Sequence, residues 1–129
     1  MLNKHFFNVK KRGENMPDFY VVNFKEVVFA AEDASIYLEM EIEKAKAMKA
    51  KGFKIIHGYG SHGAGGKISI NLRQHAFKLR KENKIKDIFT GAEWAIQNKK
   101  CFKFLEGCKF ASLDEDLGRQ NPGITIIVL

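Results

Sequence analysis

His57-Gly58-Tyr59-Gly60-Ser61-His62-Gly63-Ala64-Gly65-Gly66 is the stretch that decides how this chain folds. It follows the apolar run Phe53-Lys54-Ile55-Ile56 and leads into Lys67 and a series of helix-forming residues, so it is a strand-to-helix turn. Five of its ten residues are glycine, which lets the backbone take positive φ and lets a ligand approach without a Cβ in the way. The N–H groups that open a helix lack partners within it and carry the positive end of its dipole, so phosphate binds readily there. Two histidines, His57 and His62, share the turn.

On the N-terminal side, Phe19-Tyr20-Val21-Val22-Asn23-Phe24 is aromatic and β-branched and predicts a strand. Residues 31–51 predict a helix. Ala34, Leu38, Ile42 and Ala45 form one stripe at spacings of four, four and three, acids precede lysines, and Gly52 suits the C′ position. On the other side, residues 67–83 predict a second helix, with Ile68, Leu72, His75 or Ala76, and Leu79 on its inner face. Its outer surface carries Lys67, Arg73, Lys78, Arg80, Lys81 and Lys84. Strands are expected at 85–89 and 124–129. Trp94, Phe102, Phe104 and Phe110 promise a packed cluster in between, and Asn121-Pro122-Gly123 marks a turn. The order β-α-β-α-β-(insert)-β implies an α/β two-layer sandwich, two helices on a four-stranded mixed sheet, with the insert at about 92–118.

At 129 residues the chain fits one domain, spanning 18–129, and it is long enough to bury a core without disulfides. The first 17 residues are polar and basic without a clear period and read as a tail. Lys11-Arg12-Gly13-Glu14 is compatible with a purine-rich ribosome-binding site in the coding sequence, which makes Met16 a candidate natural start. Net charge is +7, and between residues 67 and 109 there are 11 Lys and Arg against 4 acids, a surplus equal to the whole-chain value. The basic surface therefore begins just after the glycine turn and favours a polyanionic partner. Cys101 and Cys108 lack metal or redox spacing and read as free thiols of a reducing cytoplasm. Neither a membrane span nor the apolar core of a signal peptide is visible.

Gly58-Tyr59-Gly60-Ser61-His62-Gly63 matches G-x-G-x-x-G literally, but a βα unit precedes it and no acid stands at a strand end some twenty residues on, as a dinucleotide site requires. A P-loop would need glycine where Ser61 stands and Ser or Thr where Ile68 stands. The spacing of His57, His62 and His75 supports no metal site, and no cofactor is expected. Asp114-Glu115-Asp116 reads as a solvated or helix-capping cluster rather than an ion site. Tyr59 either stacks on a base or packs on the domain's own surface.

Ile55-Ile56-His57-Gly58-Tyr59-Gly60 resembles the I-H-G-x-G motif of small MutS-related (Smr) domains, and Gly123-Ile124-Thr125-Ile126-Ile127-Val128-Leu129 resembles their closing G-x-T-x-V-x-L strand. Small stand-alone bacterial Smr-like proteins carry an H-G-Y-G-S-x-G-x-G-G loop and a D-L-G-R-x-N-P-G-I-T segment. These are similar to residues 57–66 and to Asp116-Leu117-Gly118-Arg119-Gln120-Asn121-Pro122-Gly123-Ile124-Thr125. The resemblance covers roughly 18–129. It implies a sandwich similar to the C-terminal domain of translation initiation factor three, and binding to DNA or RNA; several members are endonucleases. Active members usually carry L-D-L-H-G, or L-D-L-R, at the end of the first strand, where this chain has Val22-Asn23-Phe24-Lys25-Glu26. Asn23 neither takes up a proton near neutral pH nor holds a metal as a carboxylate does, and Lys25 is normally protonated.

The expected function is therefore a nucleic-acid-binding module. Its site would comprise Lys25, His57, Gly58, Tyr59, Gly60, Ser61, His62, Gly63, Gly65, Gly66, Lys67 and Arg73, with the loop amides on a backbone phosphate and the basic helix adding contacts. The alternative is a divergent Smr-type endonuclease with His57 or His62 as base, Lys25 on the developing charge and Glu26 as the nearest carboxylate. A protein-interaction domain that uses the basic face on an acidic partner is a third reading.

Overall fold

The run Phe53-Lys54-Ile55-Ile56 lies in a strand, β2 (Gly52–Ile56), and Phe19-Tyr20-Val21-Val22-Asn23 forms β1 (Phe19–Asn23) parallel to it, with Val22 opposite Ile55. The chain is described here from a computed structural model covering residues 17–28, 30–59 and 64–129; the basic N-terminal stretch and the candidate start at Met16 lie outside these residues. The remaining elements are α1 (Ala34–Ala47), α2 (Ala64–Lys81), β3 (Asp87–Thr90), α3 (Lys99–Glu106) and β4 (Ile124–Val128). The sheet runs β1-β2-β4-β3, with β4 antiparallel to both its neighbours. Consequently β1, β2 and β3 all point the same way, and their C-terminal ends share one edge with the start of β4.

Helices α1 and α2 cover one face of the sheet, which makes an α/β two-layer sandwich. The stripe Ala34, Leu38, Ile42 and Ala45 is buried against Tyr20, Val22, Phe53 and Ile55, as its spacing predicts. On α2 the inner positions are Ile68, Leu72, Ala76 and Leu79. His75 lies beside that row, and its Nε2 is 2.5 Å from Glu39 Oε2 on α1. A polar contact lies within the apolar layer: the Tyr20 hydroxyl donates to Glu41 at 2.6 Å, so this buried carboxylate keeps a partner.

The inserted segment folds over the other face. Trp94, Cys101, Leu105, Cys108 and Ala111 pack there on Phe19, Phe89, Ile124, Ile126 and Val128. This explains why all five residues of β4 are buried: the strand lies inside the sheet with both faces covered. Helix α3 is not among the elements expected from the sequence. It is short, opened by Asn98, whose side chain accepts the Cys101 N–H at 3.0 Å, and closed at Gly107. The aromatic cluster also differs from expectation. It consists of Phe19, Phe89, Trp94 and Phe104, while Phe102 and Phe110 are exposed. Cys101 and Leu105, four apart, point at the sheet; Phe102, a further 100° or so around the helix from Cys101, points away from it.

Gly52 does not end α1. Lys49 takes the left-handed position at φ 60°, and the Ala50 N–H returns to the Ala45 carbonyl at 3.0 Å. Gly52 instead lies in β2, where a Cβ would stand 2.6 Å from the Ile127 carbonyl oxygen, so close strand approach demands the glycine. Both cysteines are buried and free, and burial pushes the Cys108 thiol up to about 12, which suits packing and not reactivity. No helix among the described residues is long and apolar enough to cross a membrane.

Candidate nucleic-acid interface

The C-terminal ends of β1 and β2 bring two of the expected site segments together. After β1 the chain turns through a short 3₁₀ segment, Phe24–Glu26, in which the Asn23 side chain accepts the Lys25 N–H at 2.9 Å. Asn23 thus caps a turn at the position where the resembling motif has its acid. That turn lays Lys25 over Gly58: the Lys25 Cδ is 3.7 Å from where a Cβ on Gly58 would be. Gly58 itself has φ +73°, a conformation that favours glycine.

The base of the loop is fixed to the start of β4. The N–H groups of His57 and Gly58 both donate to the Gly123 carbonyl, at 2.9 and 3.0 Å. These two amides are therefore spent on the fold and are not free for an anion. Tyr59 is 60% exposed. Gly60, Ser61, His62 and Gly63 lie outside the described residues. Helix α2 begins at Ala64, so Gly65 and Gly66 belong to its first turn; the Gly66 carbonyl accepts the Ser69 hydroxyl at 2.9 Å, and Lys67 is exposed.

His57 faces inward, 1% exposed. Its Nε2 is 2.9 Å from Thr125 Oγ1, and its Nδ1 is 2.5 Å from the Gly58 carbonyl. Arg73 Nε donates to the same threonine oxygen at 2.9 Å. An arginine only donates and a carbonyl only accepts, so the protons are assigned: Nδ1–H donates to Gly58, and the Thr125 hydroxyl donates to Nε2. Burial drives the His57 pKa down to about 4 from 6.5; the Gly58 hydrogen bond opposes this and the nearby Arg73 charge adds to it. Both ring nitrogens are engaged within the protein.

The unfolded histidine takes up its proton below about 6.5 and the folded one only near 4, so the unfolded state binds more protons in between. Stability should be full above 6.5 and fall as the pH drops toward 4, by about 2 kcal/mol at about pH 5. Urea unfolding at a series of pH values measures this, and His57→Gln should flatten the profile across that window.

Arg73, expected on the outer surface, turns inward. Its Nη2 donates to the Ile124 and Pro122 carbonyls at 2.9 and 3.2 Å, tying α2 to the start of β4. Burial lowers its pKa, and the charge of Glu93 works against that. The rest of the basic helix is also partly committed: Arg80 lies 3.2 Å from Asp87 and 5.2 Å over the Phe77 ring, and Lys84 lies 3.3 Å from Glu82. Lys67, Lys78 and Lys81 are exposed.

Asp114 and Asp116 are neither solvated nor a helix cap. Both converge on Lys54 Nζ, at 2.7 and 2.6 Å, and that lysine is 1% exposed in the middle of β2. No group of three or more His, Cys, Asp or Glu among the described residues is placed to hold a metal ion. Two residues of the closing G-x-T motif that were not among the expected site residues organise this edge: Thr125, a lone hydroxyl in an isoleucine-rich strand, and Gly123, whose carbonyl holds the loop. The polar residue in that otherwise apolar strand was the available signal. Compared with known protein families, curated proteins and solved structures, the chain gives no significant match.

Proposed function

We propose that this chain is a nucleic-acid-binding module of the Smr type, which holds a backbone phosphate at the glycine loop. The observation that carries the reading is the placement of the Lys25 stem against Gly58, with exposed Tyr59 next in the chain and α2 opening five residues after it. Three separate elements thereby bring a cation, an aromatic ring and the positive end of an 18-residue helix to one edge of the sheet. Lys25 and Lys67 would contact phosphates, which position a strand without reading its sequence. Tyr59 would stack on an unpaired base, a contact worth about 1–3 kcal/mol. In this reading His57 braces the loop and is not a base, because both ring nitrogens are engaged and burial weakens its basicity.

Fluorescence anisotropy with labelled single-stranded RNA, single-stranded DNA and duplexes tests the proposal. Binding to at least one of them is expected. Lys25→Glu/Lys67→Glu should weaken it by about tenfold or more, a reversal of two phosphate contacts, and Tyr59→Ala should act mainly on single strands. No binding to any of these substrates would overturn the reading. Cleavage of the recovered strand that disappears in His57→Ala would replace it with the endonuclease alternative.

A further inference from the structure

At the end of the sheet opposite the glycine loop, where β2 and β3 begin and β4 finishes, a cavity of about 570 Å³ opens between α3 and the sheet. Its apolar lining is Phe89, Phe104, Val128 and Leu129. Phe104 packs edge-on or tilted against Phe19, Phe89 and Trp94, with centroids 6.2–6.4 Å away, yet it remains only partly buried. The same cavity is lined by Lys86 from the start of β3 and by Lys100 and Lys103, one turn apart on α3. Lys51 closes it at the back, with its Nζ donating to the Gly107 carbonyl at 2.5 Å.

The charges select the sign of the occupant. Among the described residues of the lining, Asp87 is the one acidic side chain. Its Oδ1 already accepts from Arg80 at 3.2 Å and from the Ile88 N–H at 2.8 Å. The cavity therefore offers an anion three exposed ammonium groups and little competing negative charge. The apolar lining selects the body of the ligand. A nucleobase laid on phenylalanine, valine and leucine would leave its polar edges without partners, which is costly. An alkyl chain has no such edges, and burying its CH₂ groups is favourable. The volume falls within the roughly 300–1,000 Å³ of small-molecule sites.

We propose that this cavity binds a hydrophobic carboxylate of medium chain length, its tail on Phe89, Phe104, Val128 and Leu129 and its head at Lys86, Lys100 and Lys103. The cavity shares no residue with the glycine-loop site, so its failure leaves the nucleic-acid reading standing, and the reverse holds as well. Calorimetric titration of the full chain with decanoate tests the proposal, with decyltrimethylammonium and adenosine monophosphate as counter-probes. Saturable one-to-one decanoate binding is expected, at least tenfold tighter than either counter-probe. Lys100→Glu/Lys103→Glu lies on the exposed side of α3 and should retain the wild-type melting profile while weakening decanoate at least tenfold. Absence of saturable binding, an unchanged affinity in the folded double variant, or preference for the ammonium or the nucleotide would each overturn it.

Discussion

Replacing Lys54 by alanine is expected to cost about 3–5 kcal/mol, because it leaves the nearly buried Asp114 and the part-buried Asp116 without their cation. Lys54 stands opposite Val21 and Ile126 in the middle of the sheet, and its ammonium is held by both Asp114 and Asp116. Each acid has further partners: Asp114 Oδ2 accepts from Trp94 Nε1 at 3.0 Å, and Asp116 Oδ1 accepts from Asn121 Nδ2 at 3.1 Å. Burial opposes the charge on Lys54, but its hydrogen bonds to Asp114 and Asp116 outweigh that and raise its pKa above 10.5. Burial likewise opposes charge on Asp116, and Lys54 outweighs it, so that carboxyl lies below 3.8. The contribution of Asp116 is thus present above pH 3.8 and lost as pH falls through its lowered value; that of Lys54 is lost as pH rises through its raised one. Trp94, Asp114 and Asp116 all belong to the inserted segment, so hydrogen exchange in Lys54→Ala should rise first across residues 92–118. Lys54→Met/Asp114→Asn/Asp116→Asn, which removes all three charges together, should recover much of the loss. Chemical denaturation of the two variants measures both outcomes, and a single variant as stable as the triple one would contradict the account.

Gly91→Ala should be of similar size. Gly91 follows β3, and a Cβ there would stand 1.6 Å from the Asn121 carbonyl oxygen and 2.5 Å from its carbon. These are backbone atoms, which no rotamer change can move aside. A cost of about 3 kcal/mol or more is expected, read as a fall in melting temperature of roughly 10 °C. The displacement passes directly to Pro122 and Gly123, whose carbonyls hold Arg73 and the base of the loop, so this variant should also weaken the proposed nucleic-acid binding. Gly107→Ala is the control. Gly107 has φ −98°, and its added Cβ would meet only the Phe104 carbonyl, at 3.9 Å, so that substitution should be near neutral or slightly stabilising.

The periodic parts of the fold were legible in the sequence because one buried stripe repeats along each element. Ala34, Leu38, Ile42 and Ala45 all face the sheet, and the isoleucine run of β4 is buried throughout. Two kinds of feature were hidden. Short elements such as α3 carry too few turns for a period to show, and only Asn98 and Gly107 mark its ends. Long-range polar partnerships leave no local trace: Lys54 is separated from Asp116 by 62 residues, and His57 from Thr125 by 68. The cluster Asp114-Glu115-Asp116 looked solvated because the cation that neutralises it lies in another element. Within the candidate site, only the resembling motif pointed to the approach of Lys25 to Gly58. The inward turn of Arg73 was not legible, since a helix position between two faces can serve either.

The central claim is that Lys25 and the start of α2 hold phosphate. It is tested most directly by the salt dependence of binding to a labelled single-stranded oligonucleotide, measured for the wild type and for Lys25→Gln/Lys67→Gln. The wild type should lose affinity steeply, with a log–log slope of about −0.7 for each phosphate neutralised on a single strand. The variant should bind more weakly, with a slope shallower by about 1.4, the loss of two such contacts. A wild-type affinity insensitive to salt, or a variant with the wild-type slope, would contradict the account.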